Sequence, residues 1–256
     1  MLVLSVLGGM TPGHAPLPFV PGERMTYRVH VNGVGTIGQA TMSVEGPVDV
    51  RGTATYLLRS KTTAGIGPIK GSDVTESWLD PVRMAALRFH EHERRFLSTR
   101  DVRVEIYPDE QRWVDAHNAT GKSLTAAPLD ELSFIYFLRS LPSPSTPDTT
   151  YQFNRHFDAS RNPVTVRVMR GDTVTTGVGV FTTVLMEMRV RDPQRYHGEG
   201  VIRVHLSDDR CRIPVRIESD VPGMGSLVLT LESYAHPAPG CVAILVTLGS
   251  PAAAAR

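Results

Sequence analysis

The chain has 256 residues, 41% of them hydrophobic and 21% charged, and 27 basic against 26 acidic side chains leave a formal net charge of +1. This composition is typical of globular proteins and excludes the disordered, collagen-like and membrane-spanning classes. The near-balance of charge argues against a large basic field, so no nucleic-acid partner is expected.

The two ends of the chain are predicted to lie outside the folded domain. Residues 1–18 combine an apolar start with Gly13-His14-Ala15, which resembles a small-x-small cleavage site, so they are interpreted as a leader or signal-like segment. The apolar run near the other end is shorter than the ~20 residues that a transmembrane helix needs. We therefore expect no transmembrane span, a single β-rich domain over residues 19–236, and a tail over residues 237–256.

The middle of the chain shows the alternation of β-strands. Tyr27, Val29 and Val31 alternate with polar neighbours, and Asn32-Gly33 is typical of a two-residue hairpin turn. Many antiparallel strands joined by short turns are therefore predicted. Beyond the first two, strands are predicted over residues 54–62, 69–79, 83–90, 93–98, 101–107, 111–115, 150–157, 163–170, 173–190, 200–206, 212–219 and 225–235.

One segment has the pattern of a helix. Residues 129–141 are rich in Leu and Phe, with Pro128 and Asp130 as start signals and Pro142 as a stop. The apolar residues surround most of the helix, which predicts that it is buried against the sheet. The Pro-rich stretch after it would allow two domains divided near residue 145, but a buried helix in mid-chain favours one.

Several apparent motifs are explained better by structure than by chemistry. Gly33-x-Gly35-x-x-Gly38 matches a dinucleotide-binding pattern, but the residues that follow alternate as a strand rather than open a helix. His90 and His92 share a strand face and are two ligands short of a usual zinc site. The charged residues of 88–105 alternate in sign, which indicates cross-strand ion pairs rather than a phosphate-binding track. No metal and no cofactor are predicted.

The segment from residue 206 to residue 218 joins an acidic turn to an arginine-lined strand. Ile213, Val215 and Ile217 are predicted to face the core, with Arg212 and Arg216 on the other face. Asp208 and Asp209 are interpreted chiefly as turn residues, since neighbours in an extended chain point apart. No catalytic residue is predicted; the candidate binding residues are Arg139, Asp208, Asp209 and Arg212.

The chain contains two cysteines, Cys211 and Cys241, without the spacing of a metal site. Two buried free thiols are the preferred interpretation. A disulfide between them is the alternative if the protein is exported to an oxidising compartment.

Four sequence blocks carry a resemblance to known proteins. They are residues 19–27, 73–81, 129–142 and 206–218. Together they resemble a family of exported bacterial proteins, domain of unknown function 3108. The resemblance covers roughly residues 19 to 235, although Cys211 stands where a basic residue is expected. It implies an extracytoplasmic location and a mainly antiparallel β fold, with no established activity and no catalytic residues to transfer.

The fold expected is mainly β, a curved antiparallel sheet or half-open barrel with one buried central helix near 129–141, by analogy with lipoprotein-carrier half-barrels. The leading functional hypothesis is a non-enzymatic periplasmic envelope protein that binds a lipid or other amphiphilic ligand in its concave sheet. The alternative is a structural or scaffolding subunit that docks on an envelope complex through a sheet edge or the 88–105 ribbon. A hydrolase built around Asp208 and Asp209 is the third hypothesis, and convergence of these carboxylates with His205 or another ionisable residue in one pocket would support it.

Overall fold

The computed structural model describes residues 16–95, 97–141, 148–192, 198–221, 225–238 and 240–241. Most of the predicted leader, the Pro-rich stretch and the tail beyond Cys241 therefore lie outside the described residues. The described residues contain fifteen strands and one α-helix, in chain order: β1 (Arg24–Val31), β2 (Gly35–Val50), β3 (Thr53–Ile66), β4 (Ile69–Asp80), β5 (Ala85–Arg94), β6 (Thr99–Tyr107), β7 (Arg112–Asp115), β8 (Thr120–Lys122), α1 (Glu131–Ser140), β9 (Thr150–Phe153), β10 (Val164–Met169), β11 (Thr173–Thr176), β12 (Gly179–Asp192), β13 (Gly198–Ser207), β14 (Pro214–Val221) and β15 (Gly225–Ala235).

All fifteen strands belong to one antiparallel sheet that curves without closing. The order of neighbours is β8-β7-β6-β5-β4-β3-β2-β1-β15-β14-β13-β12-β10-β9, and β11 pairs with β12 beside this path. The first and last strands of the chain thus pair at the centre of the sheet, with Tyr27 opposite Leu231. The edge strands are β8 and β9. Leu129, between β8 and α1, forms an isolated parallel bridge with His156, which follows β9. The predicted half-open barrel is confirmed.

Turns differ from the predictions at three places, because alternation of apolar and polar residues does not by itself mark where a chain reverses. The first hairpin turn has three residues rather than two, since Val31 pairs with Gly35. Residues 95 and 97–98 separate β5 from β6, so the strand predicted over 93–98 is wrong. The long strand predicted over 173–190 is a hairpin, β11 and β12, in which Thr176 pairs with Gly179.

The helix α1 starts where the sequence places it. Asp130 is the N-cap, and its carboxylate accepts hydrogen bonds from the backbone N–H groups of Leu132 (3.0 Å) and Ser133 (2.8 Å). Ser133 Oγ accepts in return from the backbone N–H of Asp130 at 2.9 Å, which completes a capping box. Ser77 of β4 also donates to Asp130 at 2.5 Å, so the start of the helix is fixed to the sheet.

The main core lies between α1 and the inner face of the sheet. Phe134, Tyr136 and Leu138 are at most 2% exposed, and they pack with residues from both halves of the sheet, such as Tyr27 and Met186. The helix is therefore buried on nearly all sides, as its sequence predicts. Among the described residues, no helix combines the length and apolarity needed to cross a membrane.

Candidate functional site

The concave face of the sheet is filled by α1, which leaves a small crevice beside it. The crevice has a volume of about 60 Å³ and lies between the helix and strands β10, β12 and β13. Its apolar wall includes Phe134, Val164 and Met188, and its polar wall includes Glu131 and Arg161. This volume is well below the ~300–1,000 Å³ of small-molecule sites, so this crevice does not enclose an acyl chain.

The helix presents one arginine to the interior at its C-terminal end. Arg139 and Glu23 are buried and form a two-pronged ion pair, Nη1 to Oε1 at 2.6 Å and Nη2 to Oε2 at 2.7 Å. The same Nη2 also donates to the carbonyl oxygens of Pro18 (3.0 Å) and Cys211 (3.1 Å). Arg139 therefore joins the helix to the start of the domain and to the turn after β13.

Electrostatics and aromatic rings hold this pair in its charged form. Burial alone would raise the pKa of Glu23, but the charge and hydrogen bonds of Arg139 lower it below its usual value, with a further contribution from His236. The guanidinium carbon of Arg139 also lies 5.4 Å from the ring centre of Phe19 and 5.3 Å from that of Tyr136. The pair is an internal structural element.

The chain after β15 returns to the same place. Nδ1 of His236 accepts a hydrogen bond from the backbone N–H of Ala238 at 3.1 Å, so Nε2 carries the proton of the neutral ring. Nε2 lies 3.2 Å from Oε2 of Glu23, and the side chain of His236 is 1% exposed. Nothing in the sequence around His236 indicates this contact, which depends on the pairing of β15 with β1.

The two cysteines form a disulfide, so the preferred interpretation as free thiols is wrong. Cys211 and Cys241 have Cα atoms 5.5 Å apart and are 30 residues apart in sequence. Both are buried, and the hydroxyl of Tyr234 donates to the carbonyl oxygen of Cys241 at 2.7 Å. Sequence spacing does not show this proximity, because β14 and β15 bring the two segments together. The described start of the predicted tail thus packs against the domain.

The acidic turn after β13 is built around Asp209. Its Oδ1 accepts from the backbone N–H groups of Cys211 (2.8 Å) and Arg212 (3.0 Å) and from Oγ of Ser207 (3.0 Å). Arg212 has φ of +45°, and β14 begins only at Pro214, so Arg212 does not lie on the outer strand face as predicted. It is buried, and burial lowers its pKa against the opposing influence of Asp208 and Asp209. The inward positions of Ile213, Val215 and Ile217 are confirmed.

The four candidate binding residues surround one surface recess. The recess has a volume of about 360 Å³ and lies between the end of α1 and the turn after β13. Asp208 and Arg210 are exposed at its wall, while Arg139 is held in its ion pair. The lining residues are Pro16, Pro18, Arg139, Ser140, Leu141, Asp208, Asp209, Arg210 and Arg212.

His205 does not join Asp208 and Asp209, so it does not support the third hypothesis, a hydrolase. Nδ1 of His205 lies 3.3 Å from Asp172, and its Nε2 lies 3.6 Å from Glu218. These contacts do not include the acidic turn, where Asp209 accepts backbone hydrogen bonds. His205 faces Asp172 and Glu218, so it does not form an acid/base pair with the carboxylates of the acidic turn.

The charged ribbon of 88–105 forms the ion pairs predicted for it. Arg88 pairs with Glu105 directly across the ladder at 2.5 Å, and Arg100 pairs with Glu91 at 3.2 Å. His90 packs edge-on against the ring of Trp78. Within the described residues, no group of three or more His, Cys, Asp or Glu side chains is arranged to hold a metal ion.

A second cluster of ionisable groups at the start of α1 was not predicted. Glu131 Oε1 accepts from Arg161 at 2.5 Å and lies 3.5 Å from Nε2 of His156. Burial alone would raise the pKa of Glu131, but the hydrogen bond and charge of His156 and the charge of Arg161 lower it. Burial raises the pKa of neighbouring Asp130 to about 6. The sequence predicts only the helix-capping position of Asp130. His156 and Arg161, the partners of Glu131, belong to a turn that is distant in sequence.

The fold and these contacts define a class of protein, an open antiparallel β half-barrel filled by one helix. The model of the family described as "Protein of unknown function (DUF3108)" matches residues 26–232, and the chain belongs to this family. The resemblance seen in the sequence is thereby confirmed. No curated protein sequence matches the chain.

Two solved structures are similar to this chain at low sequence identity. A beta-barrel-like protein of domain of unknown function DUF1849 from Brucella abortus is 13% identical with a TM-score of 0.54, and the match covers 84% of this chain and 97% of that chain. A candidate exported protein with YmcC-like fold from Bacteroides fragilis is 12% identical with a TM-score of 0.33, and the match covers 86% of this chain and 98% of that chain. The first likeness shows a common fold.

Proposed function

We propose that this protein is a non-enzymatic, extracytoplasmic protein of the bacterial envelope that binds the charged headgroup of a lipid or other amphiphile in its surface recess. The observation that carries the proposal is the recess of about 360 Å³, around which Arg139, Asp208, Asp209 and Arg212 converge. Such a volume falls in the lower part of the ~300–1,000 Å³ that small-molecule sites occupy.

The disulfide supports an extracytoplasmic location. Bonds such as Cys211–Cys241 form and persist in oxidising compartments, and they are rare in the reducing cytosol. The leader predicted for residues 1–18 agrees with export. The periplasm is the compartment that both features favour.

The chemistry of the recess favours an amphiphilic ligand with a charged head. Arg210 and Asp208 offer charges of both signs at the exposed wall, which suits a headgroup that carries phosphate with or without an amine. Pro16, Pro18 and Leu141 offer apolar surface beside them. Because α1 fills the concave sheet, the apolar part of the ligand lies along the surface rather than inside the barrel.

The base of the recess is rigid, which favours binding over catalysis. Arg139 is fixed by Glu23 and two carbonyl groups, and Asp209 is fixed by the turn. Groups held in this way lose little conformational entropy when a ligand binds. Because Arg139 and Asp209 are engaged in structural contacts, their role in the recess supports a non-enzymatic function.

Native mass spectrometry of the protein purified from its own envelope, followed by lipid extraction, tests the proposal. We expect a lipid-sized adduct on the wild type and its loss in the double variant Asp208→Asn/Arg210→Ala, whose two side chains are exposed. The matched control is Asp148→Asn/Arg167→Ala, a surface pair at 2.9 Å beside β9 and β10, which should retain the adduct. A wild type without adduct, or a double variant that keeps it, would refute the proposal.

The alternative function, a scaffolding subunit, is favoured by the open edge at β9. Tyr151 in this strand is 39% exposed, and β9 pairs with β10 on one side of the described sheet. An added strand from a partner could continue the ladder there. The same mass measurement separates the two functions, because a subunit carries a stoichiometric protein partner instead of lipid.

A further inference from the structure

Three consecutive hairpins have their tips at the same end of the sheet. The tips follow Val31, Ile66 and Arg94, which are the last residues of β1, β3 and β5. Gly38 of β2 pairs with Ala64 of β3, and Ser72 of β4 pairs with Arg94 of β5, so the three tips lie side by side. We name this surface the hairpin rim and define it by residues 32–37, 61–73, 92–95 and 97–101.

The hairpin rim exposes large apolar side chains. Val34 is 54% exposed, Ile66 48%, Ile69 56% and Leu97 89%. Four of the seven large hydrophobic residues exposed in the described parts of the chain thus lie on these three tips. Single exposed hydrophobic residues are ordinary, but a group of them at one end of a fold indicates an interaction surface.

The hairpin rim is also basic. Its residues include five basic side chains, Lys61, Lys70, Arg94, Arg95 and Arg100, against three acidic ones, Asp73, Glu93 and Asp101, a net charge of +2 with histidine counted as neutral. The whole chain has a net charge of only +1. Within the described residues, Arg95 pairs with Glu93 and Arg100 with Glu91, and no ion pair involves Lys61, Lys70 or Arg94. The rim therefore concentrates positive charge beside its apolar tips.

We propose that the hairpin rim docks on a membrane surface that contains anionic phospholipid. Ile66, Ile69 and Leu97 enter the interface, and Lys70 and Arg94 lie against lipid phosphates. Apolar groups flanked by Lys and Arg are the combination that binds anionic interfaces, where burial and charge attraction add. The apolar residues lie on separate turns rather than on one continuous face, which suits a fluid surface better than a protein partner that needs a contiguous complementary patch.

This proposal does not rest on the headgroup site, because the rim and the recess share no residue. The partner of the rim is a membrane surface, whereas the recess is proposed to bind a single molecule. The two ideas fail separately. Loss of rim binding leaves the recess proposal intact, and the reverse also holds.

Sedimentation with vesicles tests the docking surface. The full chain is mixed with vesicles of phosphatidylcholine alone or with added phosphatidylglycerol. We expect binding to the anionic vesicles that weakens as salt is raised. The variant Ile66→Ser/Ile69→Ser/Leu97→Ser should lower the partition coefficient on the order of tenfold or more, because it removes the apolar surface that enters the interface.

Two further variants make the test specific. Lys70→Glu/Arg94→Glu should reduce binding to anionic vesicles while the tip residues stay apolar. Val82→Ser is the matched control, since Val82 is 81% exposed but lies in the turn between β4 and β5, at the opposite end of those strands. Its binding should equal that of the wild type. Absence of wild-type binding, equal binding by the triple variant, or equal loss in Val82→Ser would overturn the proposal. Recovery of a stoichiometric protein on the rim without vesicle binding would also overturn it.

Discussion

Arg139 and Glu23 are 116 residues apart in sequence and form a buried ion pair in which Nη1 contacts Oε1 and Nη2 contacts Oε2. The pair lies where the end of α1, the start of β1 and the segment after β15 meet. Because His236 and the carbonyl oxygen of Cys211 also contact it, four separate parts of the chain depend on its geometry. It fixes the base of the recess.

Removal of one partner of this pair should destabilise the fold strongly. Arg139→Met leaves Glu23 buried without its counter-ion, and such losses cost about 3–5 kcal/mol. The double variant Glu23→Leu/Arg139→Met should recover much of that loss, because both charges are removed together. The measurement is the free energy of unfolding in urea. As a control, Arg28→Met removes an exposed pair with Glu232 and should cost less than about 1 kcal/mol. Equal costs for the two single variants would contradict the assignment.

Asp130 should make stability depend on pH in a defined direction. Burial raises the pKa of its carboxyl from 3.8 to about 6, so the folded state holds this proton more tightly than the unfolded state does. The contribution of Asp130 to the free energy of unfolding is therefore most favourable below pH 3.8. As the pH rises through about 6, stability falls by on the order of 3 kcal/mol.

The variant Asp130→Asn isolates this dependence. Asn retains the helix cap but does not titrate, so the stability of the variant relative to wild type should improve between about pH 4 and about pH 7. Urea unfolding of both proteins at each pH gives the difference. A difference that is constant across this range would show that Asp130 does not titrate there.

The disulfide should contribute measurably to stability. A bridge that closes a loop of this length contributes about 3.6 kcal/mol in the chain-entropy view, so Cys211→Ser/Cys241→Ser should lower the melting temperature. A reducing agent should lower the melting temperature of the wild type and leave that of the double variant unchanged. If the reducing agent shifts both proteins equally, the disulfide is not the cause.

Gly38 should tolerate no side chain, for a reason unrelated to cofactor binding. A Cβ atom there would lie 2.0 Å from the carbonyl oxygen of Thr63 on β3, so Gly38→Ala must displace the neighbouring strand and should cost about 1–3 kcal/mol. Gly33→Asn is the control. Gly33 has φ of +82° with open space around it, and Asn accepts that conformation at little cost. Thermal unfolding that ranks the two variants in the opposite order would contradict this explanation.

The sequence by itself determined the fold class, the buried helix and most strands, because alternation, capping residues and turn signals act over a few neighbouring positions. It also indicated the residues that surround the recess, since Asp208 and Asp209 mark a turn. Only the tertiary structure decided the disulfide, the Glu23–Arg139–His236 contacts and the inward position of Arg212. These depend on β15 pairing with β1 and on strand registers across more than 200 residues, and local patterns carry no information about such distant proximity.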